Sequence, residues 1–350
     1  MSSSSCAMLH IADAHVKQHI WQSCHEVVGD AQCALFELGP TIKKHGIEVL
    51  LLSGDIFDST KPTAQSVNTV VEFCKQFREV LFITGTHDNT DPPWINVVPN
   101  AAHLGSTPTE VCGAHFYGID YCSTRDQLKA KLCEIVSTVR ESVKTGKPTY
   151  LVLHNAFRHL LGFEGAWKVE IEDIEEVSPA LRVIVGDVHT RKTVELEGGG
   201  WVHSAGPLVP QDWGQTETPC YVDIIDVQSG SITPVNTDVR SFRTLEVEDV
   251  ANFVDAPKKL PTCVRVLMPA GNTQAAPTIP GCIVIPQIVS RQEQTDGREF
   301  RSLGISLEQA IREEFKDPYD AELMWRMYLS ENPREVIEEE LKKNNIKTRN

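Results

Sequence analysis

Four short stretches of this chain concentrate carboxylates and histidines: Asp13-Ala14-His15, Gly54-Asp55-Ile56-Phe57-Asp58, Gly85-Thr86-His87-Asp88 and Gly186-Asp187-Val188-His189. A lone His154 closes a fifth apolar run. Mixed imidazole and carboxylate ligands suit Mn, Fe or Zn, and a pair of such ions clamps a phosphate ester. A carboxylate such as Asp55 can bridge two cations, because each oxygen can serve one. Any single Asp-x-His is weak evidence, since both residue types are common in turns. The set is strong, because each member follows its own apolar strand.

Those strands are legible. Val49-Leu50-Leu51-Leu52 has no polar face, which predicts a central strand covered on both sides. Met8 to Ala12, Val80 to Ile83, Tyr150 to Leu153 and Leu181 to Val185 read the same way. Helical spacing is expected from about His19 to His45, from Thr63 to Phe77 and from Arg125 to Val143. Strand alternating with helix predicts a layered α/β sheet whose strand ends converge on one edge. Alternate residues of an extended segment point the same way, so Asp13 and His15 are expected to face one ion together, as are Asp187 and His189.

The 350 residues carry a net charge of −15, with 41 % hydrophobic and 23 % charged residues. The composition is that of a globular domain. The acidity argues against a free-standing nucleic-acid binder, so a polyanionic substrate would need cations and a partner to attract it. No apolar run approaches the roughly 18 residues of a membrane helix, and the N-terminus has no secretory pattern, so a cytoplasmic setting is expected. Ten cysteines without a Cys-x-x-Cys pair suggest reduced thiols. Three segments are expected: 1–240 with the motifs, a small capping module at 241–300, and helices at 301–350, where Ser306 with Gln309 and Asn332-Pro333-Arg334-Glu335 look like helix starts. His10, His19, His25, His45, His103 and His115 have no motif around them and read as structural or surface residues; His159 and His203 are left open.

The motif set resembles the calcineurin-like metallophosphoesterase superfamily, whose motifs run D-x-H, G-D-x-x-D, G-N-H-D/E, a lone H, and G-H-x-H. Lys61-Pro62-Thr63 after the second motif, and Ser204-Ala205-Gly206-Pro207-Leu208-Val209-Pro210-Gln211 after the last, are similar to SbcD-type nucleases of double-strand-break repair. The resemblance covers roughly residues 8 to 226. It implies a metallophosphoesterase β-sandwich flanked by helices, with a small α+β capping module and C-terminal helices. It implies two divalent ions, most simply Mn²⁺ with Mg²⁺ as the alternative. Asp13, His15, Asp55 and His189 would hold the first, and Asp55, Thr86, His154 and Asp187 the second. His87 would be the general acid, oriented by Asp88, with Asp58 behind the ligands.

The implied activity is metal-dependent DNA cleavage, exonucleolytic or endonucleolytic, with an SbcC-type coiled-coil ATPase bound by the C-terminal helices. A homodimer is expected through the Val67, Val70, Val71 and Cys74 stripe of the helix after the second motif. Two residues depart from the pattern: Thr86 stands for the family's Asn, and Asp187 for its first His. They either shift the second site toward hard ions or weaken it. A phosphoesterase for small molecules or proteins, and a non-catalytic binding subunit, are the alternatives.

Overall fold

The computed structural model describes residues 6–17, 19–21, 24–161, 169–269 and 277–289. Almost all of these lie in one compact unit, formed by residues 1–160, 168–268 and 273–287. In chain order the strands begin with β1 (Ala7–Ile11), β2 (His19–Trp21), β3 (Cys24–Val28), β4 (Val49–Ser53), β5 (Glu79–Ile83) and β6 (Ala101–His103). There follow β7 (Thr109–Val111), β8 (Ala114–Ile119), β9 (Thr149–His154), β10 (Arg182–Gly186), β11 (Lys192–Glu195) and β12 (Trp201–Ser204). The last are β13 (Tyr221–Asp226), β14 (Ile232–Asn236), β15 (Phe242–Glu246), β16 (Cys263–Pro269) and β17 (Ile283–Val289). The helices are α1 (Asp30–Glu37), α2 (Gly39–His45), α3 (Ala64–Cys74), α4 (Arg125–Lys144) and α5 (Ile171–Val177).

Two six-stranded sheets form a sandwich. One runs β14-β13-β1-β4-β5-β6, the other β11-β12-β10-β9-β8-β7, and β15-β16-β17 make a third, smaller sheet. β1, β4, β5 and β6 pair in parallel, as do β8, β9, β10 and β12. Parallel strands send their carboxyl ends to the same edge. Met8, Val49, Leu51 and Leu81 of one sheet meet Phe116, Tyr150, Val152 and Ile184 of the other in a dry interior. Leu50 and Leu52 face the opposite way, toward the α1–α3 layer. β4 is therefore buried on both faces, as its apolar run requires.

Two expectations are corrected. β2 and β3 pair antiparallel in place of the start of a helix, and α1 begins only after Gly29, which adopts a left-handed φ of 79°. The Val70 and Cys74 stripe of α3 is buried in the chain's own core, with Val67 and Val71 packed beside it. Val70 and Cys74 thus cover the sheet, while Val67 and Val71 stay half-buried. Cys6 and Cys112 form a disulfide across 106 residues, joining the start of β1 to the β7–β8 turn and so the two sheets. No local spacing announces such a pair. Strands fall on both sides of the Pro269 to Gly281 segment, while residues 301–350, with both expected helix starts, lie outside the described residues.

Candidate metal centre

The motif loops meet at the shared strand edge, but not by strand alternation. Asp13, His15, Asp55 and Asp187 all take left-handed backbone, with φ of 47°, 42°, 49° and 70°. Among the described non-glycine residues only Cys112 joins them. Such backbone costs of order 1–3 kcal/mol per residue and persists where the surroundings impose it. The surroundings here are hydrogen bonds between loops. Asp13 N–H donates to Gly54 O at 3.2 Å, His15 N–H to Asp55 O at 2.9 Å, and Val16 N–H to Ile56 O at 2.8 Å. Asp187 N–H donates to Asp13 Oδ1 at 3.0 Å, and His87 N–H to Asp55 Oδ1 at 2.7 Å.

Glycine opens three of the motifs for a steric reason. A Cβ on Gly54 would meet His154 Nδ1 at 2.3 Å, and one on Gly186 would meet the same atom at 2.4 Å. A Cβ on Gly85 would meet Asp55 Oδ1 at 2.2 Å. The side chains of Asp55 and His154 fill the space that those glycines leave.

The side chains then converge. His154 Nε2 lies 3.3 Å from Asp55 Oδ2 and 3.9 Å from Asp13 Oδ1. His189 Nε2 is 3.6 Å from Asp13 Oδ1, and His15 Nε2 is 3.8 Å from Asp55 Oδ2. Three groups have ligand atoms within 4.8 Å of one another: Asp13/His15/His189, Asp13/Asp55/His154 and His15/Asp55/His87. Asp13 is thus shared between groups as well as Asp55. Asp13 Oδ2, His15 Nε2 and His154 Nε2 are buried without a hydrogen-bond partner. Unpartnered buried atoms of this kind are costly unless something neutralises them. A divalent cation fits, since atoms 3.3–3.9 Å apart can share an ion at bonds of about 2.1 Å.

The electrostatics agree. Burial pushes the Asp13 carboxyl up, but His189, His154 and His15 outweigh it and hold it at about 2. Burial pushes His154 down, but Asp55 and Asp13 outweigh it and raise it to about 10. His154 Nδ1 is oriented by the Ser53 carbonyl at 2.8 Å, so Nε2 is the nitrogen that faces the carboxylates. Asp58 sits 3.4 Å from His15 Nδ1 and 2.7 Å from Lys17 Nζ; burial raises its carboxyl, and its contacts with His15 and Lys17 bring it below the ordinary range.

One contact differs from the assignment. Asp88 accepts from Gly85 N–H at 2.6 Å and from Ile56 N–H at 2.7 Å, which ties two loops together. The His87 ring is held by Asp58 O at 3.1 Å instead, with His87 itself exposed. Thr86 is also exposed. Asp187 is half-buried and helps to raise His154 and His189, yet it belongs to none of the tight groups among the described residues.

Sequence reasoning missed Gln215. Its Nε2 lies 3.0 Å from His189 Nδ1, and no motif marks it. The two influences on His189 conflict. Burial disfavours its charged form, Asp13 favours it and prevails, whereas the amide N–H of Gln215 needs a bare Nδ1. The hydrogen bond is the firmer guide, because neighbours pin the amide on both sides.

A second cluster, His10, His203 and Asp223, is fully buried between the sheets. Asp223 is already bonded to His203 Nε2 at 2.7 Å and to Arg191 at 2.8 Å. Its charge is met by a guanidinium.

No protein-family model matches this chain. It is 25% identical over 219 residues to the DNA double-strand break repair protein Mre11 of Sulfurisphaera tokodaii, covering 58% of this chain and 54% of that protein. The Sulfolobus acidocaldarius protein of the same name is 24% identical over 266 residues, 69% of this chain and 66% of its own length. The chain therefore spans about half to two thirds of the relatives it matches. Among solved structures, a dimetal phosphatase from Danio rerio aligns over 67% of this chain and 99% of that one, at a TM-score of 0.48 and 8% identity.

Proposed function

We propose that this chain is a calcineurin-like metallophosphoesterase of the Mre11/SbcD type, a metal-dependent phosphodiesterase that cuts DNA during break repair. The observation that carries the reading is the convergence of Asp13, His15, Asp55, His154 and His189 on one strand edge, with buried ligand atoms left unpartnered. Asp13, His15, Asp55 and His189 would hold one cation; Asp55 and His154, with Thr86 and Asp187, the other. When bound, the cations supply Lewis acidity at a phosphoryl oxygen.

The remaining steps fall to the chain's own groups. The Ser53 carbonyl and the Gly54 and Gly186 backbones fix His154. Asp88 holds the loop that carries His87. His87, exposed and held at Nδ1 by Asp58 O, can pass a proton from Nε2 to a leaving oxygen. A substrate polyanion meets a chain of net charge −15, so bound cations and a partner must offset the repulsion. The partner we infer is an SbcC-type ATPase; its expected docking helices lie outside the described residues.

A second reading has its own support. Thr86 is exposed and Asp187 stands outside the tight groups, which favours a weakened second ion and a binding subunit. The test is purified protein with Mn²⁺ on single-stranded DNA, double-stranded DNA and a chromogenic phosphodiester. DNA cleavage that EDTA abolishes is expected. Cleavage of the chromogenic ester alone would mean a small-molecule phosphoesterase, and no cleavage with tight DNA binding would mean the binding subunit.

A further inference from the structure

His189 shows its two ring nitrogens to different neighbours. Nε2 faces Asp13, and Nδ1 faces the Gln215 amide. That amide has one good orientation. Its Oε1 accepts from Gln211 N–H at 3.0 Å, and its Nε2 donates to Asp212 Oδ2 at 3.0 Å. Turned over, it would set N–H against N–H and oxygen against carboxylate. It therefore presents an N–H to His189, and Nδ1 accepts. A neutral histidine that accepts at Nδ1 carries its proton on Nε2. A histidine that ligates through Nε2 needs that proton on Nδ1, with an acceptor to receive it. The arrangement seen and the ligating one exclude each other.

Gln215 lies in the short 3-10 turn Trp213–Gln215, capped by Asp212, whose Oδ1 accepts Gln215 N–H at 3.2 Å. Trp213, two residues earlier, rests on the small sheet. Its ring lies 4.5 Å from the Arg265 guanidinium and 5.9 Å from the Phe242 ring, and its Nε1–H reaches Thr244 Oγ1 at 3.3 Å.

We propose that Gln215 is a positioning residue for His189, and that the Trp213–Gln215 turn couples cation binding at the metal centre to the β15–β17 sheet. The inference rests on the metal-centre reading above. When His189 ligates, its proton moves from Nε2 to Nδ1, and Gln215 turns its amide to accept it. The bonds to Gln211 N–H and Asp212 Oδ2 are then broken, and the turn shifts Trp213 against Arg265 and Thr244. Coupling of this kind is reciprocal, so loosening Trp213 from the sheet changes cation affinity.

The experiment uses the full chain. Mn²⁺ affinity is read by calorimetry, and tryptophan emission is followed during titration with Mg²⁺, which is diamagnetic. Wild-type protein should show an emission shift on saturation that Trp213→Phe lacks. Gln215→Ala should weaken Mn²⁺ binding about tenfold, the low end for a lost partner of a ligating histidine. Gln215→Glu with Asp212→Asn gives Nδ1–H a standing acceptor, so affinity should rise about tenfold and the emission shift should vanish. Arg265→Met, which touches no ligand, should alter affinity several-fold. Wild-type affinity in all these variants, with Mn²⁺ still bound and emission unmoved, would overturn the inference and leave the metal centre standing. Failure of wild-type protein to bind Mn²⁺ would remove the centre and the inference with it. Should circular dichroism show a Gln215 variant unfolded, the wild-type emission shift and Arg265→Met decide.

Discussion

Two clusters of histidine and aspartate share Ser53 as a common wall. Its carbonyl holds His154 of the strand-edge cluster, and its hydroxyl lies 2.9 Å from His10 Nε2 of the buried one. The residue types are alike, but the settings differ in two ways. Asp13, His15 and Asp55 sit on left-handed turns, whereas His10, His203 and Asp223 sit inside β1, β12 and β13. The Asp13 and Asp55 charges face imidazoles, while Asp223 faces the His203 imidazole and also the Arg191 guanidinium. The titrations diverge accordingly. Burial drives His10 down to about 4 despite Asp223 nearby, while His154 is raised to about 10. A cation site, on this comparison, is made by unneutralised charge on imposed backbone and not by residue type.

The largest expected effect tests the strand-edge cluster. Asp55→Ala should abolish both Mn²⁺ binding and hydrolysis, since Asp55 belongs to two of its three groups. Calorimetry and a DNA cleavage assay check this; retained activity in metal-free Asp55→Ala protein would sink the site. His87→Ala should cut turnover by roughly 10²–10⁴-fold, the usual worth of a general acid, with Mn²⁺ stoichiometry unchanged. A fall in stoichiometry would make His87 a ligand, which its proximity to His15 and Asp55 permits.

pH should separate the clusters in metal-free protein. His154 has a folded value raised above 6.5, so its contribution is complete below pH 6.5 and is lost as pH rises toward about 10. His10 has a lowered value, so its neutral form favours folding above pH 6.5, and that contribution is lost as pH falls toward about 4. Denaturant midpoints should therefore decline on both sides. His154→Gln should flatten the alkaline limb and His10→Gln the acid one. The reverse assignment would break the comparison.

Asp223→Asn should destabilise the fold by about 1–3 kcal/mol by stripping Arg191 of its counter-charge, with Mn²⁺ stoichiometry untouched. Loss of a bound ion in that variant would show that the buried cluster is also a metal site. The smallest effect concerns the second ion. Thr86→Asn and Asp187→His should be non-additive in Mn²⁺ affinity by about 0.5–3 kcal/mol if both residues serve one cation. Strict additivity would separate them and favour the binding-subunit reading.

Much of this was legible in the chain itself. Apolar runs such as Leu50-Leu51-Leu52 announce central strands, because burial on both faces leaves no room for polar residues. Helical spacing identified α3 and α4 to within a few residues. Carboxylates and histidines directly after those strands marked the edge where the site forms. Each of these signals is local, carried by residues a few positions apart.

Tertiary structure decided the rest. Asp13 and His15 converge through left-handed turns stitched to Gly54, Asp55 and Ile56, not through strand alternation. The β2–β3 pairing and the Cys6–Cys112 bond depend on partners that helical spacing and Cys-x-x-Cys counting cannot register. His10 and His154 have the same side chain and opposite electrostatics, set by which charges lie within a few ångströms. Asp88 proved to be a clamp between loops, and Gln215 a partner of His189, by contacts spanning 32 and 26 residues. Periodicity records which faces are buried, whereas charge compensation depends on distances through space, and those exist only once the sheets have packed.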